Sequence, residues 1–96
     1  MINLNQLAQD AYECALRRKK TTASVNHIAT ANSIDEELAE LLDANEVHDS
    51  VHITGYTEVQ EELADILIVC LTELHKRGTN VEAIITDKIN FNLQRK

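Results

Sequence analysis

Helix-breaking residues are almost absent from this chain, which has no proline and two glycines among its 96 residues. Proline removes a backbone hydrogen-bond donor and glycine readily enters turns, so their scarcity leaves few positions at which a helix must end. Tight turns between β-strands also depend on these residues. Leucine, alanine and glutamate, which are abundant here, are strong helix formers. The sequence therefore predicts an all-α fold in a single domain spanning residues 1–96.

Apolar residues recur at helical spacing in four stretches of the chain. The predicted helices span about residues 5–18, 21–48, 57–77 and 79–93. The second, which could equally be two collinear helices, is expected to begin at a cap formed by Thr21, Thr22 or Ser24. The third contains a nearly continuous apolar run, residues 66–71, which indicates an element buried on several sides or shared with another subunit. Four helices with short connections predict an antiparallel four-helix bundle.

Local start and stop signals mark the ends of the last two helices. Thr57 followed by Gln60 has the spacing of a capping box at the start of the third helix. Gly78 is a stop signal at the end of that helix. Thr79 or Asn80 is expected to cap the fourth helix.

The net charge of −7 restricts the partners that the protein can bind. Nucleic acids and anionic membranes attract basic surfaces, so neither is predicted as a partner. Cys14 and Cys70 lie 56 positions apart without metal-ligand or CxxC spacing, which predicts reduced thiols. No stretch approaches the roughly 20 apolar residues of a membrane span. We therefore expect a soluble cytoplasmic protein whose excess of acidic groups suits it to binding cations.

Two acidic tetrads share one register against the apolar face of their helices. Glu37 and Glu40 recur 25 positions later as Glu62 and Asp65, with apolar neighbours matched to apolar residues. At about 100° per residue, both acids of each tetrad border the apolar stripe of their helix. Two helices packed through these stripes would point all four carboxylates into one cleft.

Four carboxylates in one cleft repel one another unless they are protonated or bind cations. Acids three positions apart on a helix have Cβ atoms about 5 to 6 Å apart, so each pair can bind one ion or flank two. Hard oxygen ligands suit Mg²⁺, with Mn²⁺ as a substitute, and neither tetrad contains a histidine that would favour zinc. A single tetrad would more simply be a solvated helix face. The duplication favours a metal site formed by Glu37, Glu40, Glu62 and Asp65.

Further acids and two histidines lie near the tetrads. Glu36 and Glu61 point about 100° away from the tetrad acids that follow them. Together with Glu58 they are expected to be surface residues, although one of them could orient a water. His48 and His52 have the i,i+4 spacing of a zinc-hydrolase helix, but an aspartate replaces the glutamate of that motif and a helix end is near. Zinc chemistry is therefore not predicted.

The order and spacing of these motifs resemble the MazG-like branch of the all-α nucleoside triphosphate pyrophosphohydrolases. Members carry ExxE, a spacer of variable length and ExxD, which this chain matches with a spacer of 21 residues. They also carry a KxxxNxxR motif on the last helix. The matching residues are Glu37, Glu40, Glu62, Asp65, Lys88, Asn92 and Arg95. The resemblance covers about residues 34–95.

This resemblance implies a helical bundle completed by oligomerisation, as a homodimer or homotetramer, with Mg²⁺ held by the four acids. It implies conversion of a nucleoside triphosphate and water to the monophosphate and pyrophosphate, for house-cleaning or nucleotide-pool control. Lys88 and Arg95 would supply positive charge to the phosphates, and Asn92 would hydrogen-bond phosphate or sugar. The alternative is a non-catalytic dimerisation or adaptor protein, in which the glutamates are idle and the cations only complement a helix dipole.

Overall fold

The computed structural model describes residues 3–95 as four α-helices and their connections. The helices are α1, Leu4–Arg17; α2, His27–Asp43; α3, Glu58–Lys76; and α4, Val81–Leu93. No strand occurs within residues 3–95, where the extended pairing is limited to an isolated bridge between Asp49 and Thr57. None of the described helices combines the length and the apolar character needed to cross a bilayer. The predicted all-α class with four helices is therefore confirmed.

The helices divide between two compact units. The terminal unit contains residues 3–25 and 71–95, and it holds α1, α4 and the end of α3. The central unit, Asn26–Cys70, holds α2, the connection that follows it and the first part of α3. Both acidic tetrads therefore lie in the central unit. The single domain expected from the sequence remains a prediction.

The terminal unit is built on a small apolar core in which α1 packs against α4. Ala8, Leu71 and Val81 are buried there. The Asn5 side chain ties the two helix starts together, because it donates to Asn80 Oδ1 and its own Oδ1 accepts from the backbone N–H of Val81 at 2.7 Å. The first N–H groups of a helix have no partner within the helix, so Asn5 supplies one that α4 lacks.

The sequence signals at the ends of α3 and the start of α4 act as predicted. Thr57 Oγ1 accepts from the backbone N–H of Gln60, and the Gln60 side-chain oxygen accepts from the N–H of Thr57, which completes a capping box. Gly78 has a φ of +69°, the left-handed conformation that commonly ends a helix. Asn80 caps α4 through its side-chain oxygen, which accepts from the backbone N–H of Ala83. These expectations are confirmed.

Both predicted ends of the second helix are wrong. α2 begins at His27 instead of near residue 21, because Asn26 Oδ1 caps it by accepting from two backbone N–H groups of the first turn. It ends at Asp43 instead of near residue 48. Asn45 Oδ1 accepts from the backbone N–H groups two and three residues further on, and this local turn competes with continued helix.

The apolar faces of the central unit are not closed within one chain. No hydrophobic side chain of residues 26–70 is buried. Leu38 on α2 remains 44% exposed, and Leu63 and Leu67 on α3 remain 52% and 51% exposed. Apolar surface left open in this way commonly marks an interaction surface. The apolar run of α3 was predicted to be buried on several sides or shared with another subunit. Leu67 is not buried in this way, and contact of the run with another subunit remains a prediction.

Candidate metal centre

Four carboxylates from two helices converge in the central unit. Glu37 and Glu40 come from α2, and Glu62 and Asp65 come from α3. One carboxylate oxygen of each residue lies within 4.8 Å of one oxygen of every other. The i,i+3 spacing places each pair on one face of its helix, and the matched register turns the two faces to the same point. The structure thus brings together the four acids singled out in the sequence.

Two oxygens of this cluster are buried without a hydrogen-bond partner. They are Glu37 Oε2 and Glu62 Oε2. A buried carboxylate oxygen that has lost water and gained no donor destabilises the fold unless the group is neutralised or coordinates a cation. Glu40, by contrast, is exposed, so the cluster is open to solvent on one side. An ion can therefore reach the cluster from the side of Glu40.

The electrostatics of the cluster disfavour four simultaneous negative charges. Burial, followed by the charges of Glu40 and Asp65, raises the pKa of Glu62 from 4.5 to about 7. Burial and the same two neighbours also raise the pKa of Glu37. Near neutral pH the metal-free cluster therefore retains protons that a divalent cation would displace.

The donor set fits a hard divalent cation. All four side chains offer carboxylate oxygens, and no nitrogen or sulfur ligand belongs to the cluster. Oxygen-only sites suit Mg²⁺, Mn²⁺ and Ca²⁺, whereas zinc sites usually include histidine or cysteine. The fit supports the predicted class of ion. The choice of Mg²⁺ remains a prediction.

The connection between α2 and α3 is anchored on two other glutamates of α3. Glu58 Oε1 accepts from the backbone N–H of Asn45, and Glu58 Oε2 lies 3.7 Å from His48 Nδ1. Glu61 accepts from Ser50 Oγ at 2.6 Å and lies 2.8 Å from His52 Nδ1. These two contacts lower the pKa of Glu61, the Ser50 hydrogen bond most strongly. They keep Glu61 ionised in the fold.

The expectation that Glu61 is a surface acid is therefore wrong. Its side chain is 18% exposed and holds the connection through Ser50 and His52. Helical periodicity could not reveal this role, because both partners lie in a segment with no regular repeat. Glu36 is exposed, as expected.

An open pocket of about 280 Å³ lies beside the carboxylate cluster. Two of the four clustered acids line it, together with the end of α2, the connection and the start of α3. The lining residues are Glu40, Asp43, Ala44, Val51, His52, Glu58, Glu61 and Glu62. Five of these eight lining residues are acids, and His52 is the one histidine among them.

Charge is strongly segregated between the two units. None of the nine lysines and arginines of the chain lies in residues 26–70, which carry eleven of its sixteen aspartates and glutamates. Negative charge of this density raises the local concentration of cations and opposes the approach of a bare anion.

The three residues of the KxxxNxxR match lie at the end of the terminal unit. Lys88 Nζ is 4.7 Å from the centre of the Phe91 ring, and Arg95 Cζ is 5.8 Å from it. The Asn92 backbone carbonyl accepts from the N–H of Arg95. All four side chains are exposed. Lys88 and Arg95 are thus grouped around one aromatic ring, and their role in substrate binding stays a prediction.

Comparison of the chain with protein-family models, with curated proteins and with solved structures gave no significant match. The MazG-like resemblance consequently depends on the spacing of its motif residues alone. Membership of that family remains a prediction. The convergence of the four acids is a property of the fold and does not depend on it.

Proposed function

We propose that this protein is a Mg²⁺-dependent nucleoside triphosphate pyrophosphohydrolase. It converts a nucleoside or deoxynucleoside triphosphate and water to the monophosphate and pyrophosphate. The observation that carries the proposal is the pair of buried, unsatisfied oxygens on Glu37 and Glu62 inside a cluster of four carboxylates. A structural role alone gives no reason to collect four like charges and leave two of them without donors.

The four clustered acids hold the metal in this proposal. Glu37 and Glu62 supply the buried oxygens, and Glu40 and Asp65 complete the set. When bound, Mg²⁺, or Mn²⁺ in its place, neutralises phosphate charge and lowers the pKa of the attacking water. The carboxylates would fix the position of the ion and release their protons to solvent as it binds.

Positive charge for the substrate comes from Lys88 and Arg95, which the motif match assigns to phosphate binding. Arginine can grip a phosphate through two parallel hydrogen bonds, and lysine acts as a point charge. Asn92 offers an amide to phosphate or sugar. The central unit, residues 26–70, contains no lysine or arginine. This supports the assignment of phosphate binding to Lys88 and Arg95.

The active form is a homodimer or homotetramer in this proposal. The exposed faces of Leu38, Leu63 and Leu67 support it, because a second copy would remove these side chains from water. The expected location is the cytoplasm, where nucleoside triphosphates are available. House-cleaning or pool control is the expected role.

The proposal can be tested by a pyrophosphate-release assay. The assay uses a panel of nucleoside and deoxynucleoside triphosphates, once with Mg²⁺ and once with a chelator. Release that depends on Mg²⁺ and is abolished in Glu40→Gln and Asp65→Asn, with unchanged helical circular dichroism, is the expected result. Glu36→Gln is the matched control, since it removes an exposed charge from the same helix and should keep activity.

The exposed apolar faces equally suit a non-catalytic dimerisation or adaptor protein. Such a protein has no use for the buried carboxylate oxygens, which is why catalysis is the preferred conclusion. Absence of pyrophosphate from every nucleotide in Mg²⁺ and Mn²⁺ would favour the adaptor. Full activity in the Asp65→Asn variant would remove that residue from the metal shell.

A further inference from the structure

The side chain of His52 is fixed at one ring nitrogen and open at the other. His52 Nδ1 lies 2.8 Å from Glu61 Oε2, while the side chain as a whole is 74% exposed. An ionised carboxylate offers only acceptor oxygens, so this 2.8 Å contact pairs with the ring tautomer that carries its hydrogen on Nδ1. In the neutral ring Nε2 then carries the lone pair. The contact with Glu61 therefore produces an imidazole whose free nitrogen is a proton acceptor.

The backbone around His52 is held by the same carboxylate. Ser50 Oγ donates to Glu61 Oε1 at 2.6 Å and accepts from the backbone N–H groups of His52 and Ile53, each at 3.1 Å. The backbone N–H of Ser50 in turn donates to the carbonyl of Tyr56 at 2.8 Å. Because one glutamate fixes both the ring and the turn that carries it, His52 is positioned and not merely exposed.

His52 lines the pocket beside the metal cluster, and it is the one side chain there that can take up a proton to become a cation. The acids that share the pocket are Glu40 and Asp43 from α2 and Glu58 and Glu62 from α3, besides Glu61. His48 provides a natural comparison. His48 lies four positions before His52 and is similarly exposed. Its Nδ1 is 3.7 Å from Glu58 Oε2, but His48 does not line the pocket.

We propose that His52 is the general base of the hydrolysis and that Glu61 is its positioning residue. The inference rests on the proposed function. In the step, Nε2 of His52 takes a proton from the attacking water as the water oxygen forms a bond to the α-phosphorus. The bond from the α-phosphorus to the bridging oxygen breaks, and its electron pair leaves on pyrophosphate. His52 then releases its proton to solvent.

The tautomer of His52 gives a test that needs neither metal nor turnover. Long-range ¹H–¹⁵N correlation spectra of the metal-free, ¹⁵N-labelled protein at pH 8 should show His52 with its proton on Nδ1. In the Glu61→Gln variant, His52 should shift toward the mixture of Nδ1–H and Nε2–H tautomers found in free imidazole. The tautomers of His48 should not change. A wild-type spectrum with the proton of His52 on Nε2 would overturn the positioning role of Glu61.

Steady-state kinetics test the proton transfer itself. His52→Gln should lower kcat about 100-fold with a small change in KM, and it should remove the acidic limb of the kcat profile against pH. Glu61→Gln should lower kcat about 10-fold. His48→Gln should match the wild type in both. The Mg²⁺-induced rise in melting temperature should be the same in His52→Gln as in the wild type.

The outcomes separate the two proposals. Wild-type turnover together with a wild-type kcat in His52→Gln would overturn the role of His52 and leave the proposed function intact. Equal losses in His48→Gln and His52→Gln would also overturn it, since a general disturbance of the loop would then explain both. Absence of pyrophosphate release from the wild-type protein would overturn the proposed function and the general base with it.

Discussion

Replacing Glu62 with glutamine should stabilise the metal-free protein at alkaline pH, although it removes a charged side chain. The pKa of Glu62 in the fold is about 7, against 4.5 as its ordinary value. The folded protein therefore binds more protons than the unfolded chain between these two values, so stability falls as pH rises through this window. Well below pH 4.5 Glu62 is neutral in both states, and glutamine should then be close to equivalent to it.

The size of the effect follows from the pKa shift. At about 1.36 kcal/mol per unit, a shift of this size has a ceiling of about 3 kcal/mol. Because Glu62 is partly exposed, solvent screening reduces the expected gain at pH 8 to about 1–2 kcal/mol. For a domain of this length that corresponds to roughly 5–10 °C in melting temperature.

The difference in stability between Glu62→Gln and the wild type can be measured by thermal and urea unfolding at pH 4.5, 6.5 and 8. Unfolding is followed by circular dichroism at one protein concentration, with a chelator present. Glu61→Gln is the matched control at the adjacent position. The pKa of Glu61 is lowered by its contacts with Ser50 and His52, so its ionised form stabilises the fold above the ordinary carboxyl pKa, and that stability is lost as pH falls. This variant should therefore be destabilised at pH 8. A Glu62→Gln protein no more stable than the wild type at pH 8, or equally stabilised at all three values, would refute the reasoning.

Three further predictions address the metal, the fold and the assembly. Mg²⁺ at about 100 times its dissociation constant should stabilise the wild type by about 2.7 kcal/mol in urea unfolding and leave Glu40→Gln unaffected; an unchanged wild-type transition at millimolar Mg²⁺ would count against the cluster as a metal site. Asn26→Ala should cost about 1 kcal/mol through loss of the α2 cap, and an unchanged urea midpoint would show that the cap contributes nothing measurable. Light scattering should report a mass that is a multiple of 10.8 kDa, whereas a stable monomer would contradict the assembly assigned to the exposed apolar faces.

The four-acid cluster could be predicted from the sequence because helical geometry carries it. Glu37 and Glu62 occupy equivalent positions against their apolar stripes, so the packing of two helices is enough to bring them together. The limits of α2 could not be predicted in the same way. Thr22, Ser24 and Asn26 are all good caps, and the choice among them depends on which residue reaches the first free N–H groups. Local sequence does not contain that information.

The role of Glu61 was beyond sequence reasoning for a different reason. Its partners, Ser50 and His52, are eleven and nine residues earlier, in a connection whose path is set by turns and not by a repeating pattern. A helical wheel assigns a direction to Glu61 but says nothing of what lies in that direction. Adjacent glutamates of identical type, Glu61 and Glu62, thus end with pKa values shifted in opposite directions by their surroundings.

The opposite pKa shifts of Glu61 and Glu62 suit the metal-dependent hydrolase that we propose. Glu61 stays ionised because hydrogen-bond donors satisfy it, and it therefore holds His52 in place whether or not an ion is bound. Glu62 lacks a donor at its buried oxygen and has neighbours of its own charge, so a cation would stabilise its ionised form. The unit contains eleven acids and neither lysine nor arginine to offset them. If a divalent cation binds the four acids, we therefore expect its removal to loosen the central unit before it disturbs the apolar core of the terminal unit.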